Sequence, residues 1–281
     1  MSVETIEATA GVPAAAKGRR AALLSFVVGV RLPWIVIAQV AVVAAILLAV
    51  QVAVDSGAVK RIYLASPTQI VAAFPQLFTR ENLLYHLSVT LAEAGVGVGL
   101  SAVLGIATGI AMGLFPRVNQ FLNPFLVWLM AIPKVTIIPL LTLYLGLGFG
   151  HKVFIIFLFC YFLFVFNTIA GIKQVQDNHI KVARTLGASQ RQIIWKVVLP
   201  SATPSIMAAV RIEAATCLLA TLFAEIVASK AGVGNLLNKL SGIYDTAAVF
   251  ALVILVTSIA LLIIYLVDVV EKRVLLKWKY V

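Results

Sequence analysis

The chain has 281 residues, of which 62% are hydrophobic and 12% charged, and its mean hydropathy is +1.06. A soluble domain fills its core with roughly 45–50% apolar residues, so the surplus must face lipid, which excludes an ordinary soluble enzyme. Lys and Arg number 22 against 11 Asp and Glu, a formal charge of +11, and in a membrane chain this excess reports topology before any ligand, so it does not imply nucleic acid.

Residues 1–32 read as a cytoplasmic tail, Ala-rich and without a core pattern over the first 16 residues. Arg19 and Arg20 precede an apolar stretch as in an export signal, but a full span follows in place of a small-residue cleavage site, so the segment is read as uncleaved. Crossing ~30 Å of hydrocarbon takes about 20 apolar residues. Runs of that size extend from Pro33 to Val54, His86 to Phe115, Phe121 to Leu147, Val153 to Ile172, Ser201 to Val227 and Ala247 to Val270. The third is interrupted by Pro133 and Pro139, with Lys134 near its middle, and reads as a bent helix.

Alternating the sides of these six spans puts fourteen Lys and Arg on one side, five of them from Lys173 to Lys196, and six on the other, including Lys152. The positive-inside rule then places both termini and the loop after the fourth span in the cytoplasm. The polar connection from Asp55 to Tyr85 lies outside, and Ser66 followed by Pro67 predicts a short helix over Thr68–Phe78.

The segment Val175–Pro204, VQDNHIKVARTLGASQRQIIWKVVLPSATP, is too patterned for a bare turn and reads as helix, glycine, helix. Asp177 or Asn178 can cap the first helix, which presents Ile180, Ala183 and Arg184 and ends at Gly187, where positive φ is expected. Ser189 and Gln192 form a capping box that restarts the helix, and Pro200 and Pro204 mark entry to the next span. By residue type alone the hairpin suits either a lipid surface, with Lys181, Arg191 and Lys196 toward headgroups, or a soluble partner.

Lys134, Arg211, Glu213 and Glu93 fall inside spans, where a charge must face a cavity or a partner. Arg211, about 16 Å past Pro200 at 1.5 Å per residue, is expected near mid-depth. Arg211 or Lys134 could attract an anion in transit, or either could pair with Glu93. Met130, Ile132 and Pro133 at the break could form an apolar constriction or simple packing. Cys160 and Cys217 lie in apolar runs and read as core residues, and His86, His151 and His179 are isolated, which gives a metal site no support. Six glycines from Gly95 to Gly113 include i, i+4 pairs suited to close helix approach, within the chain or between copies.

Ala183-Arg-Thr-Leu-Gly187-Ala-Ser189, followed by Leu199-Pro200, closely resembles the coupling-helix motif of binding-protein-dependent ABC transporter permeases. The motif's glutamate position is Lys181 and its first alanine Val182, which weakens the carry-over of a charge contact from that position. The resemblance covers about 190 residues. SVTLAEAGVGVGLSAVLGIATGIAMGL resembles the family's second helix, MAIPKVTIIPLLTLYLGLGFGHKVFIIF the pattern of its nitrate, taurine and aliphatic sulfonate branch, and RIEAATCLLATLFAEIVASKAGVGNLL that branch's fifth helix, with Glu225 and the turn Gly232-Val-Gly234 in place.

The resemblance implies an all-α, polytopic type I importer permease of about six transmembrane helices in a bacterial inner membrane, with tails at 1–32 and 272–281, a first helix and external connection over 33–80, and a permease core over 81–271. It implies two ATP-binding subunits docked through Ile180, Lys181, Ala183, Arg184 and Gly187, a second permease copy making a homodimer, and a soluble binding protein delivering a small anionic solute of the nitrate, sulfonate, taurine or carboxylate class. Lys134, Arg211 and Met130 are the candidate pathway residues. No G-x-x-x-x-G-K-[ST] loop occurs, so ATP and Mg belong to the partner ATPases and no cofactor to this chain. A gradient-driven transporter or channel is the alternative, and it lacks support from repeats or a dense set of intramembrane acids. No catalytic constellation suggests an enzyme.

Overall fold

The computed structural model describes residues 33–274, so the expected tail over 1–32 and the part of 272–281 beyond Val274 lie outside the described residues. In chain order the helices are α1 (Pro33–Asp55), α2 (Pro67–Thr79), α3 (Leu83–Leu114), α4 (Pro116–Ala131), α5 (Lys134–Leu145), α6 (Phe149–Lys173), α7 (Asp177–Thr185), α8 (Gln190–Ile193), α9 (Leu199–Ala228), α10 (Val233–Gly242) and α11 (Thr246–Val274). Five runs among the described residues are long and apolar enough to cross a membrane: α1, α3, α6, the continuous stretch Gln190–Ala228 ending in α9, and α11. The bent pair α4–α5 makes a sixth.

The helix α1 is apolar on every side apart from Gln39 and Gln51 before Asp55, and belongs to a unit that ends at Ala58; the remainder forms a second unit from Val59 onward. In that second unit α2 begins one residue before its predicted start. Ser66 closes a reciprocal capping box with Gln69, and Pro67 occupies the first turn, where its missing N–H costs nothing. Ala73 and Leu77 of α2 pack with Leu236 and Leu240 of α10 and Leu252 of α11 in an apolar cluster.

The helices α3 and α6 meet backbone to backbone because glycines line one face of α3. A β-carbon on Gly97 would stand 2.6 Å from Ile156, on Gly105 2.9 Å from the Tyr161 carbonyl, and on Gly109 2.8 Å from the Val165 carbonyl. These glycines therefore serve packing within the chain, while Gly95 and Gly99 of the same run face open space.

The third apolar run is broken in the structure, with α4 and α5 at 92° to each other. The break falls at Ile132 and Pro133, both extended (ψ 129° and 99°), because proline's ring disfavours a helical residue before it. Pro139, equally suspect in sequence, stays inside α5. The fourth span begins earlier than its apolar run, at Phe149, and draws His151 and Lys152 into the buried surface. Lys152 is thus not the outer loop charge that the count of basic residues assumed, and its removal from the smaller group widens the imbalance.

Candidate functional site

Local chemistry builds the hairpin between α6 and α9. The helix α7 starts at Asp177 but is preceded by Gln176 in extended conformation, with no side-chain cap from either Asp177 or Asn178. It ends in a Schellman arrangement: Ala188 N–H donates to Ala183 O (3.0 Å), Gly187 has φ +78°, and Ala183 and Ala188 join one apolar cluster. The next helix opens with the expected capping box, Ser189 N–H donating to Gln192 Oε1 (2.8 Å) and Gln192 N–H to Ser189 Oγ (3.4 Å).

Between α8 and α9 the backbone widens into a π-helical turn over Ile194–Val198, where Leu199 N–H donates to Ile194 O. Pro200, which has no N–H to give, follows directly. As a result Pro200 and Pro204 do not end the hairpin helix, and the segment runs unbroken from Gln190 to Ala228.

This frame sorts the candidate coupling residues into two sets. Ile180 and Ala183 pack inward against Ile172, Ile193 and Ala202, while Lys181, Arg184 and Gly187 are exposed. Sequence reading passed over Val182 and Leu186, which are 57% and 81% exposed on the outward face. Their i, i+4 spacing, out of phase with Ile180 and Ala183, was the available signal.

Two of the four intramembrane charges, Glu93 and Arg211, find partners that sequence separation concealed, while Glu213, 1% exposed in α9, forms no ion pair among the described residues. Glu93 pairs with Lys152, not with Arg211 or Lys134, and the two are 1% and 4% exposed. Arg211 pairs with Asp268 (3.1 Å) and with Glu271, while Lys272 joins Asp268 at 2.6 Å. Arg211 is therefore level with the charged last turns of α11 and not at the middle of the apolar layer. Lys134, at the first position of α5, lies over Phe162 and Phe159 with its ammonium 5.4 and 5.8 Å from the ring centres. Among the described residues no carboxylate comes within ion-pair distance of it. Met130, half exposed, precedes the break. Cys160 and Cys217 are buried in the core between α3, α6 and α9. His86 Nδ1 lies 3.0 Å from Gly232, and His151 Nε2 lies 3.1 Å from Thr142 Oγ1.

A bundle of apolar helices, one broken beside a lysine with no carboxylate partner among the described residues, with an amphipathic hairpin at one end, defines a polytopic membrane protein. Residues 101–276 match the family described as the binding-protein-dependent transport system inner membrane component. The chain belongs to this family, a transport component and not an enzyme, whose members work with a binding protein, an ATPase and a paired permease.

It is 31% identical over 206 residues to the taurine transport system permease protein TauC of Escherichia coli (strain K12), covering 72% of this chain and 75% of that protein. It is 32% identical over 223 residues to a Bacillus subtilis (strain 168) protein provisionally named as the aliphatic sulfonates transport permease SsuC, covering 79% and 80%. The formylaminopyrimidine transport permease protein ThiX of Halalkalibacterium halodurans is 29% identical over 217 residues, covering 77% and 86%. In fold, the chain is similar to the inward-facing MetNI methionine ABC transporter, with a TM-score of 0.61 at 19% identity over 71% of this chain and 98% of that one. It is likewise similar to an amino acid ABC transporter solved with histidines, with a TM-score of 0.58 at 15% identity over 74% and 98%.

Proposed function

We propose that this chain is one half of a homodimeric type I ABC importer permease, carrying a small anionic solute, of the sulfonate or taurine class, from an external binding protein to the cytoplasm. Residues 81–271 form the permease core and 33–80 a first span with its external connection, and the tails 1–32 and 272–281 are cytoplasmic. The basic imbalance supports that orientation. The observation that carries the reading is the hairpin: a family member with a helix closed at its C-terminus by Gly187 and presenting apolar Val182 and Leu186 outward has a surface suited to a soluble partner. Two ATPase subunits, holding ATP and Mg, dock there, one on each permease, through Lys181, Arg184 and Gly187 as well as Val182 and Leu186. Ile180 and Ala183 hold the helix at its angle from within.

The substrate class rests on two supports. One is the names of two relatives, at 31% and 32% identity. The other is Lys134, a half-buried cation cushioned by two aromatic faces at the break in the third span, beside Met130, where a passing sulfonate would meet it. Arg211 stands nearer the inner mouth of the same pathway, its charge balanced by α11. The test is purification of the tagged chain in mild detergent with its co-purifying subunits, followed by uptake of labelled taurine and of ethanesulfonate into liposomes loaded with ATP. Equal amounts of permease and ATPase, with uptake requiring ATP and the binding protein, support the reading. A chain that purifies alone and transports down an ion gradient overturns it in favour of a secondary carrier.

A further inference from the structure

The end of the bundle away from the hairpin holds a second constructed device. Where α9 ends, the chain turns through Ser229–Gly232 and enters α10, and side chains from three spans, α3, α6 and α9, bond to that turn and to the first residues of α10. Glu225, on the last turn of α9 and wholly buried, accepts from Thr90 Oγ1 of α3 (2.7 Å) and from Gly234 N–H at the start of α10 (2.7 Å). Val233 N–H donates to the same Thr90 hydroxyl (2.8 Å), and Gly232 N–H to His86 Nδ1 (3.0 Å). From α6, Lys152 donates to Ser229 Oγ (2.9 Å) while paired with Glu93 of α3, and Ser229 in turn binds the backbone of Ala231. The turn has no room to drift: a β-carbon on Gly232 would collide with the Glu225 carboxylate, and one on Gly234 would stand 2.6 Å from the Leu222 carbonyl.

We infer that Glu225, Thr90 and the Glu93–Lys152 pair form a strut that fixes the N-terminus of α10 to α3, α6 and α9, so that a displacement of α10 by a docked binding protein is passed to the spans that carry the hairpin. The inference rests on the importer reading. A turn anchored only by apolar contact could slide; one held by directional bonds in a dry environment moves with its anchors or breaks them. Both ends of the relay are present in the fold. The far face of α10 and the neighbouring loops are exposed, with Lys239 bonded to Glu81 at 2.6 Å, and α6 and α9 run directly into α7 and α8 at the other end. Glu93, Lys152, Thr90 and Glu225 are positioning residues, which touch neither nucleotide nor solute.

The experiment is performed on the complete reconstituted transporter, with its own ATPase and binding protein, by measuring ATP hydrolysis with and without solute-loaded binding protein. Glu225→Gln and Gly232→Ala are expected to keep basal hydrolysis within about twofold of wild type and to lose at least tenfold of the stimulation. Stimulation at the wild-type ratio in either variant, or a parallel fall of basal and stimulated rates, overturns the strut. If neither variant assembles, Thr90→Val decides: it keeps the side-chain shape but cannot bond Glu225 or Val233, and wild-type stimulation in it overturns the strut. Should the wild-type transporter itself show no stimulation, the importer reading fails, an outcome distinct from failure of the strut alone.

Discussion

Lys152 of α6 is ion-paired with Glu93 of α3, both side chains almost wholly shielded and 59 positions apart in the chain. Each alone would be prohibitive in an apolar bundle, and their mutual neutralisation is what allows α6 to begin at Phe149 instead of at the apolar run four residues later. A single Glu93→Ala substitution therefore strands a buried ammonium and should cost about 3–5 kcal/mol. The paired change Glu93→Leu with Lys152→Met should recover more than half of that. Melting of the detergent-solubilised protein followed by tryptophan fluorescence checks both, and equal losses in the single and paired variants would count against this account.

Gly187 closes α7 at φ +78° with open space around the missing β-carbon, so only the backbone conformation restricts the site within this chain. Holding a β-branched residue there costs at least ~1–2 kcal/mol, whereas asparagine visits this region readily. Gly187→Asn should retain ATPase co-purification and uptake, and Gly187→Val should insert normally but lose both.

Leu186 and Val182 are exposed on a helix whose other face is already packed. Truncating a central apolar anchor of a docking surface typically costs about 2 kcal/mol, roughly 30-fold in affinity. Leu186→Ala should weaken ATPase binding by at least tenfold in a titration with purified ATPase while leaving the permease's own melting temperature unchanged, because the side chain supports nothing within the chain.

The two faces of the α3 glycine run separate by chemistry. Gly109→Ala places a methyl 2.6 Å from Thr168 Cβ and 2.8 Å from the Val165 carbonyl, and the backbone oxygen cannot step aside. Overpacking of this kind costs about 1–3 kcal/mol. Gly99→Ala meets nothing within 4 Å and gains helix propensity, so it should be neutral or slightly stabilising by the same melting measurement.

Lys134 has no ion-pair partner among the described residues and is held by the ring faces of Phe159 and Phe162, contacts that the apolar stem of a methionine can largely replace, so the fold should tolerate that change. Lys134→Met is expected to lower the maximal rate of ATP-dependent ethanesulfonate uptake at least tenfold with a melting temperature within 2 °C of wild type, and Lys134→Arg to restore most of it. A Lys134→Met transporter with the wild-type rate would remove this residue from the pathway.

What was legible in the sequence is what short-range physics decides. Apolar runs of about 20 residues mark spans because hydrocarbon thickness is a single length, and five long helices with one bent pair correspond to the six runs. The caps at Ser66, Gly187 and Ser189 were readable because a capping box or a left-handed glycine involves residues three to five apart. The bend at Pro133 follows from the steric clash of a proline with its predecessor. Tertiary structure alone decided which charges meet, which glycines touch α6, and which face of α7 is left bare. Whether Glu93 finds Lys152 or Arg211 depends on where three helices cross, and a shift of one residue rotates a side chain by about 100° around its helix, since 3.6 residues make a turn. Apolar patterning could not foretell that crossing, because in lipid every face of these helices is apolar, and the backbone contact of Gly105 and Gly109 with α6, not a hydrophobic stripe, chooses the register.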